Sequence, residues 1–338
     1  MQLQERINAF VQLGQEMREI TQNQRAHEDL FGQIYAHNKW FAPSDCADAL
    51  NQWSGVLQQQ QLSHWTSALS KTPKEPKTIA LILAGNIPLV GFHDILSVLI
   101  SGHKLMGKIS SKDPILTRHI IDLLITLEPR FSAFVDWTDK PLKNFDAVIA
   151  TGSNNSALYF DHYFGRYPHI IRKNRNSVAV LTGQETPEEL NGLAADVFQY
   201  FGLGCRSVSK LYVPKDYDFQ SFFKAAYAHK DHINHNKYMN NYDYNKAVYL
   251  MDQVPILDNE FLLLKEDPGL SSPIAVLFYE YYANASEAIN KLSTMQERIQ
   301  CLVGKDLPIE HVAFGQTQRP TLADYADGVN TLDFLEKL

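Results

Sequence analysis

Apolar positions in the first 75 residues recur at helical spacing. Ile7, Phe10, Val11 and Leu13 form one stripe and Trp53, Val56 and Leu57 another, in a stretch rich in Gln, Ala, Leu and Trp. The pattern predicts a helical layer packed on whatever follows. Lys71 to Lys77, with two prolines among lysines and a glutamate, predicts a linker. The pattern then changes. Thr78-Ile79-Ala80-Leu81-Ile82-Leu83 is a continuous apolar run of strand length, as a strand buried on both faces requires. Ala84-Gly85-Asn86-Ile87-Pro88 punctuates it, and Phe92 to Ile100 reads as a helix stopped near Gly102. Lys104 to Ile109 is a second strand, followed by a helix from Pro114 to Leu127. Asp146 to Ala150 is a third strand ending in Thr151-Gly152-Ser153, and Asn154 to Phe164 is again helical. Ser177 to Leu181 gives a further strand, Pro187 to Tyr200 a helix, and Lys210 to Val213 the strand after Cys205.

Strands alternating with helices imply βαβ units and a mainly parallel sheet, whose ligands bind at the carboxyl ends of the strands. Gly85-Asn86 and Thr151-Gly152-Ser153 both fall at such ends. Beyond Cys205 the alternation loosens. Phe219 to Ala228 is helical, His229 to Tyr244 is polar and crowded with His, Asn and Tyr, and Ser286 to Leu292 is a helix. Ala247 to Leu250, Phe261 to Leu264 and Ile274 to Tyr279 are strand candidates, and no internal repeat occurs.

Composition narrows the class. With 338 residues, 45% hydrophobic and 20% charged, the chain has apolar material for two domains of an ordinary globular protein. A formal net charge of −7 argues against a broad nucleic-acid surface. The three cysteines, Cys46, Cys205 and Cys301, are too few and scattered for a disulfide framework, and no CxxC or HExxH supports a zinc site. The amino terminus lacks the apolar core of a signal peptide. The longest apolar candidate, Ile79 to Phe92, is broken by Gly85, Asn86 and Pro88, so no transmembrane segment is expected. The chain reads as cytoplasmic and reduced.

The candidate chemistry is dispersed. Cys205 follows two closely spaced glycines, Gly202 and Gly204, and is either a nucleophile presented in a tight space or a small buried hydrophobe. Asn86 is either an oxyanion donor or a turn residue before Ile87-Pro88. Lys108-Ile109-Ser110-Ser111-Lys112 offers a cation and hydroxyls suited to a ribose or phosphate, or else a solvated strand end. Gly152-Ser153 before a helix suits a phosphate or serves as an N-cap. Gly102 to Ile109 nearly matches the P-loop GxxxxGK(S/T). It has Ile109 where a hydroxyl is needed and runs from helix to strand, the reverse of a P-loop. The dinucleotide fingerprint GxGxxG is absent. His229, His232 and His235 cluster, with surface polarity the preferred reading over a metal or proton-relay role.

In combination these segments are distinctive. Ala84-Gly85-Asn86-Ile87-Pro88-Leu89, Lys108-Ile109-Ser110-Ser111-Lys112-Asp113-Pro114, Ala150-Thr151-Gly152-Ser153 and Gly202-Leu203-Gly204-Cys205 follow one another as in the aldehyde dehydrogenase superfamily. Within it the chain most resembles the acyl-CoA reductases of the LuxC type, the reductase component of bacterial bioluminescence systems. The resemblance covers Thr78 to Val213 and the closing Phe314-Gly315-Gln316-Thr317-Gln318-Arg319-Pro320. It implies an α/β, aldehyde dehydrogenase-like fold with a Rossmann-like cofactor domain plus a second α/β catalytic domain. The expected division is an N-terminal helical layer at 1–75, a nucleotide-binding domain at 76–182 and a catalytic cysteine domain at 183–310. A C-terminal segment, 311–338, returns to the core or an oligomer interface.

By the same resemblance Cys205 takes the acyl group as a thioester, and Asn86 with the Cys205 backbone N–H forms the oxyanion hole. Lys108, Ser110 and Ser111 hold the adenosine ribose, and Gly152 and Ser153 lie near the pyrophosphate or nicotinamide. No metal is implied, and a homo-oligomer is. Hydrolytic members carry a glutamate that activates water. The corresponding stretch here, His169-Ile170-Ile171-Arg172-Lys173-Asn174-Arg175-Asn176-Ser177, has no carboxylate. Ser111 stands where NAD-preferring members often have a glutamate, and Lys112 is nearby to attract a 2′-phosphate. The Glu-x-Phe motif that contacts the nicotinamide ribose is not evident in Pro268-Gly269-Leu270-Ser271-Ser272-Pro273. The expectation is an NADPH-dependent reductase of acyl-CoA or acyl thioesters, with NADH as the alternative cofactor. A cysteine-dependent acyltransferase and a non-catalytic scaffold are the rival readings.

Overall fold

The computed structural model describes residues 1–69, 73 and 75–338, Asn154 by its backbone alone. Of the expected linker, Lys71, Thr72 and Lys74 lie outside the described residues. The chain divides into two compact units, Met1–Asn174 with Thr321–Leu338, and Arg175–Pro320.

The first unit opens with four helices, α1 (Leu3–Gln22), α2 (Glu28–His37), α3 (Pro43–Val56) and α4 (Gln59–Trp65). Phe10, Leu13, Met17 and Ile20 of α1 recur every three or four residues and are buried, the spacing that places one face of a helix on a core. There follow β1 (Thr78–Ile82), α5 (Phe92–Ser101), β2 (Lys104–Lys108), α6 (Pro114–Leu127), β3 (Val135–Trp137), β4 (Ala147–Thr151), α7 (Asn154–Phe164) and β5 (His169–Arg172). The strands form a parallel sheet in the order β3-β2-β1-β4-β5. Ile79 and Leu81 of β1 share one core with α1, α3, α5 and α6, while Ala80 packs in a separate cluster with Val148 and Ala150 of β4. Nearly every residue of α5 is buried, as expected of a helix covered on several sides. The Ile100 carbonyl in its last turn accepts a hydrogen bond from Arg6 Nε at 2.7 Å. The C-terminal helix Thr331–Glu336 packs on α5, joined by Arg172, which pairs with Asp94 and donates through Nη2 to Thr331 Oγ1 at 3.0 Å. β3 and β5 are not announced by the sequence: three and four residues, with charges among the apolar positions, carry too little period to read.

The second unit contains β6 (Asn176–Val180), α8 (Pro187–Phe198), β7 (Val208–Pro214), α9 (Gln220–Ala226), α10 (Asn236–Met251), β8 (Ile256–Asp258), β9 (Leu263–Glu266), β10 (Val276–Tyr282), α11 (Ala285–Ser293) and β11 (Ile299–Val303). Its sheet runs β11-β6-β7-β10-β9-β8, parallel except for β8 at the edge. The units therefore part after Asn174 and not at 182/183. β6 pairs with β7 and β11 and belongs to the second sheet, and residues 321–338 return to the first unit. Strand partners are set by tertiary packing, which a buried apolar run does not encode. Ala247–Leu250 is also corrected, from strand to the last turns of α10. Four apolar residues do not separate a strand from a helix, and the buried face Tyr238, Tyr242 and Asn245 has helical spacing. Among the described residues no helix is long and apolar enough to cross a membrane.

Candidate active site

In the first unit, β1 lies between β2 and β4, with Ile82 in register with Lys108 on one side and Ala150 on the other. Sheet pairing thus sets the Asn86 loop, the Lys108–Asp113 loop and Gly152-Ser153 side by side at the carboxyl edge. This is the point where the strand order reverses, the usual ligand crevice of such sheets. Leu83 N–H donates to the Lys108 carbonyl at 3.2 Å. A Cβ on Gly85 would fall 2.5 Å from Ser110 Oγ, so only glycine lets these two loops touch. Asp113 locks them together: its Oδ2 accepts from Leu89 N–H at 3.1 Å and from the Thr117 hydroxyl at 2.8 Å, while Oδ1 caps α6 by accepting from Thr117 N–H at 3.3 Å. The backbone of the Lys108 loop is also held from α2 and the residue after it. His37 Nε2 donates to the Ser111 carbonyl at 2.8 Å, and Asn38 Nδ2 to the Lys112 carbonyl at 3.1 Å. Lys108 and Ser111 stay exposed, while Asn86 and Ser110 are half-buried.

Asp113 is only 3% exposed, and this burial pushes its carboxyl up to about 6 against the pull of the bonds from Thr117 and Leu89. A carboxyl whose folded pKa is raised holds its proton more tightly in the folded state than in the unfolded chain. Its contribution to stability is therefore full below about pH 4 and is lost as pH rises to about 6, on the order of 2–3 kcal/mol. Asp113→Asn is expected to remove that slope from the pH dependence of the urea midpoint between pH 4 and pH 6.5. Equal slopes in the two proteins would show that Asp113 does not titrate there.

Gly152 and Ser153 have local roles at the start of α7. A Cβ on Gly152 would lie 2.8 Å from Ser156 Cβ and 2.9 Å from the Phe160 ring, and Ser153 Oγ caps the helix by accepting from Ser156 N–H at 3.2 Å. Gly102 to Ile109 runs from the end of α5 into β2, the reverse of a P-loop.

Cys205 belongs to the second unit. It sits in a turn just before β7, closed by a hydrogen bond from Ser207 N–H to the Gly204 carbonyl at 3.0 Å. Three successive residues ahead of it are left-handed: Tyr200 at φ 54°, Phe201 at 56° and Gly202 at 71°. Such a conformation costs bulky L-residues free energy and persists where its surroundings impose it. Ser177 Oγ of β6 donates to the Cys205 carbonyl at 2.9 Å and accepts from Cys301 N–H of β11 at 3.0 Å, tying the turn to two strands. The closing stretch Phe314–Pro320 is seated beside it. Arg206 Nε donates to the Thr317 carbonyl, and Gln318 Nε2 to Ser207 Oγ at 3.1 Å. The buried Asp196 carboxylate accepts from Gly315 N–H at 2.7 Å and from the Thr317 hydroxyl at 2.8 Å. Cys205 is half-buried, whereas Cys46 is 0% and Cys301 3% exposed. Burial pushes the Cys46 thiol far above its usual range.

The histidine cluster is not surface polarity. His229, His232 and His235 are half-buried and pack on Phe198 and Phe201, because the polar segment folds back over the end of α8. No group of His, Cys, Asp or Glu among the described residues is arranged to hold a metal ion. Ser177, Asp113 and the left-handed Tyr200-Phe201 pair are the site features that sequence reasoning missed. Asp113-Pro114 is legible as a helix start; neither a lone serine in a strand nor aromatic residues ahead of a glycine announce what the other two do.

The sequence profile of the acyl-CoA reductase family LuxC matches residues 15–228. The chain belongs to this LuxC acyl-CoA reductase family. It is accordingly an oxidoreductase. No curated protein sequence matches it. Solved structures share its fold at low identity. An aldehyde dehydrogenase of Physcomitrella patens in complex with the product succinate superposes with a TM-score of 0.71 at 11% identity, over 99% of this chain and 84% of its own. An E. coli NADP-dependent enzyme gives 0.70 at 11% identity, over 93% and 77%. The NAD+ complex of a Bacillus cereus aldehyde dehydrogenase gives 0.65 at 12% identity, over 90% and 72%. The LuxC chain is thus built on the aldehyde dehydrogenase fold, as its motif order implies.

Proposed function

We propose that the chain reduces fatty acyl-CoA, or a related acyl thioester, to the aldehyde with NADPH, through a thioester on Cys205. The observation that carries this reading is the placement of Cys205. Of the three cysteines it is the one that solvent reaches, in a turn whose carbonyl is tied down by Ser177. The Cys205 thiolate attacks the acyl carbonyl, the carbon–sulfur bond to CoA breaks, and CoA leaves as a thiolate that takes a proton from solvent. The Asn86 amide and the Cys205 backbone N–H are the donors assigned to the oxyanion by family resemblance. When bound, the nicotinamide would supply the hydride that takes the acyl group to the aldehyde level; the bond from the acyl carbon to the Cys205 sulfur then breaks, releasing the aldehyde and restoring the thiolate.

Lys108, Ser110 and Ser111 are assigned to the adenosine ribose, and Gly152 and Ser153 to the pyrophosphate or nicotinamide. The first-unit residues fit such a group: an exposed lysine and serine stand at the switch point of a parallel sheet, on loops locked by Asp113. Ser111 brings no charge against a 2′-phosphate, and Lys112 attracts one, which favours NADPH. The absence of a carboxylate from His169–Ser177 leaves water without a general base there, so the acyl group is kept on Cys205.

The test is an assay of a series of acyl-CoA chain lengths with NADPH and with NADH. Oxidation of NADPH in equal amount to aldehyde formed, at several-fold higher kcat/KM than with NADH, is expected. CoA release with neither nucleotide oxidised would leave acyl transfer and remove the reductase reading. Preference for NADH would remove the cofactor assignment.

A further inference from the structure

The left-handed turn ahead of Cys205 needs something to impose it, and the second unit supplies a clamp. Leu203 N–H closes the turn onto the Tyr200 carbonyl at 3.0 Å. The aromatic rings of Phe198 before the turn and Phe201 within it are gripped by His229 and His232 of the segment Tyr227–Asn234 and by His235 after it. His229 stacks on Phe198, with ring centres 4.9 Å apart and planes 9° apart. His232 meets Phe201 edge-on at 5.0 Å, and His235 lies 4.5 Å from the same ring. His232 is central. Its Nε2 lies 3.2 Å from the Phe198 carbonyl and its Nδ1 3.0 Å from the His229 carbonyl.

Both neighbours accept, and a neutral imidazole has one N–H to give. Burial keeps His232 below its ordinary pKa, against the raising influence of the Phe198 and His229 carbonyls and of Asp231. Phe198 ends α8, so its carbonyl is among the last four of the helix, which have no partner inside the helix. With the proton on Nε2, that carbonyl accepts from the ring.

We propose that His232 is a positioning residue for Cys205: its Nε2–H, donated to the Phe198 carbonyl, holds the turn Tyr200–Gly202 and through it the aim of the thiol. The proposal rests on Cys205 being the nucleophile. It assigns the histidine-rich segment a purpose that involves neither metal nor proton relay.

The test separates the two ring nitrogens. In His232→Gln the side-chain amide nitrogen reaches close to where Nε2 stood; in His232→Asn it reaches only the place of Nδ1. Alkylation of Cys205 by iodoacetamide, followed by peptide mass spectrometry on the whole protein, reads the thiol directly. His232→Ala and His232→Asn are expected to slow alkylation and lower kcat by about tenfold, with KM for acyl-CoA and for NADPH within about twofold. His232→Gln is expected to restore both rates to within about threefold of wild type. Should His232→Ala fail to fold, the contrast between Gln and Asn carries the test alone. Wild-type rates in the Asn protein, or Gln as slow as Asn, would overturn the proposal. Full turnover in Cys205→Ser would instead overturn the nucleophile reading, leaving the alkylation contrast as a statement about position only.

Discussion

Cys205→Ala is expected to lower acyl-CoA-dependent NADPH oxidation by at least about 10³-fold, because no other group replaces a nucleophile that forms the covalent intermediate. The other two thiols are no substitute: Cys46 and Cys301 are 0% and 3% exposed. The fold should tolerate the change, since Cys205 is half-buried in a turn and its carbonyl, not its thiol, holds Ser177. Melting temperature therefore serves as the control and is expected to move by no more than a few degrees. A second readout removes the nucleotide. Wild-type protein given acyl-CoA alone should carry one acyl group on the peptide containing Cys205 and release one equivalent of CoA. Cys46→Ala and Cys301→Ala should label as wild type does, and Cys205→Ala should not label. An acyl group found on any other peptide, or more than a tenth of the activity surviving in Cys205→Ala, would sink the thioester mechanism.

The other large effect concerns stability. Asp94→Ala is expected to destabilise the first unit by roughly 3–5 kcal/mol, the usual cost of leaving one charge of a buried pair behind. The Asp94 and Arg172 side chains are only 8% and 5% exposed, so water does not solvate the guanidinium once its carboxylate is gone. Arg172 joins three elements, β5 by its backbone, α5 through Asp94 and the C-terminal helix through Thr331. The loss should therefore appear as early unfolding of the whole first unit in calorimetry. Removing both charges in Asp94→Ala/Arg172→Met should recover a good part of it, because the double change leaves no unpaired ion. A double variant no more stable than Asp94→Ala would show that the pair is not what the arginine serves.

Local pattern was sufficient wherever punctuation and period agreed. α6 is Pro114–Leu127 as read, because Asp113 caps it and Pro114 fits its first turn, while Leu116, Ile120 and Leu124 supply one buried face. β1 and β4 were legible because a strand buried on both faces must be a short apolar run. The order of Asn86, Lys108, Gly152-Ser153 and Cys205 along the chain was enough to point to the family. What the sequence by itself determined about this protein is therefore its family, its α/β class and the residue types offered for chemistry.

Tertiary structure decided the rest. It assigned β6 to the second sheet, since partner choice depends on which edges meet and not on the apolar run itself. It made Ala247–Leu250 helical, because a four-residue run takes its state from the packing around Tyr238 and Tyr242. It gave Gly152 and Ser153 packing and capping duties at the start of α7. It also turned a polar, histidine-rich segment into the packing around Phe198 and Phe201. Left-handed φ at Tyr200 and Phe201 is unfavourable for either residue alone, so no local preference announces it. The rings of His232 and His235, distant in sequence, pack against Phe201 in that turn.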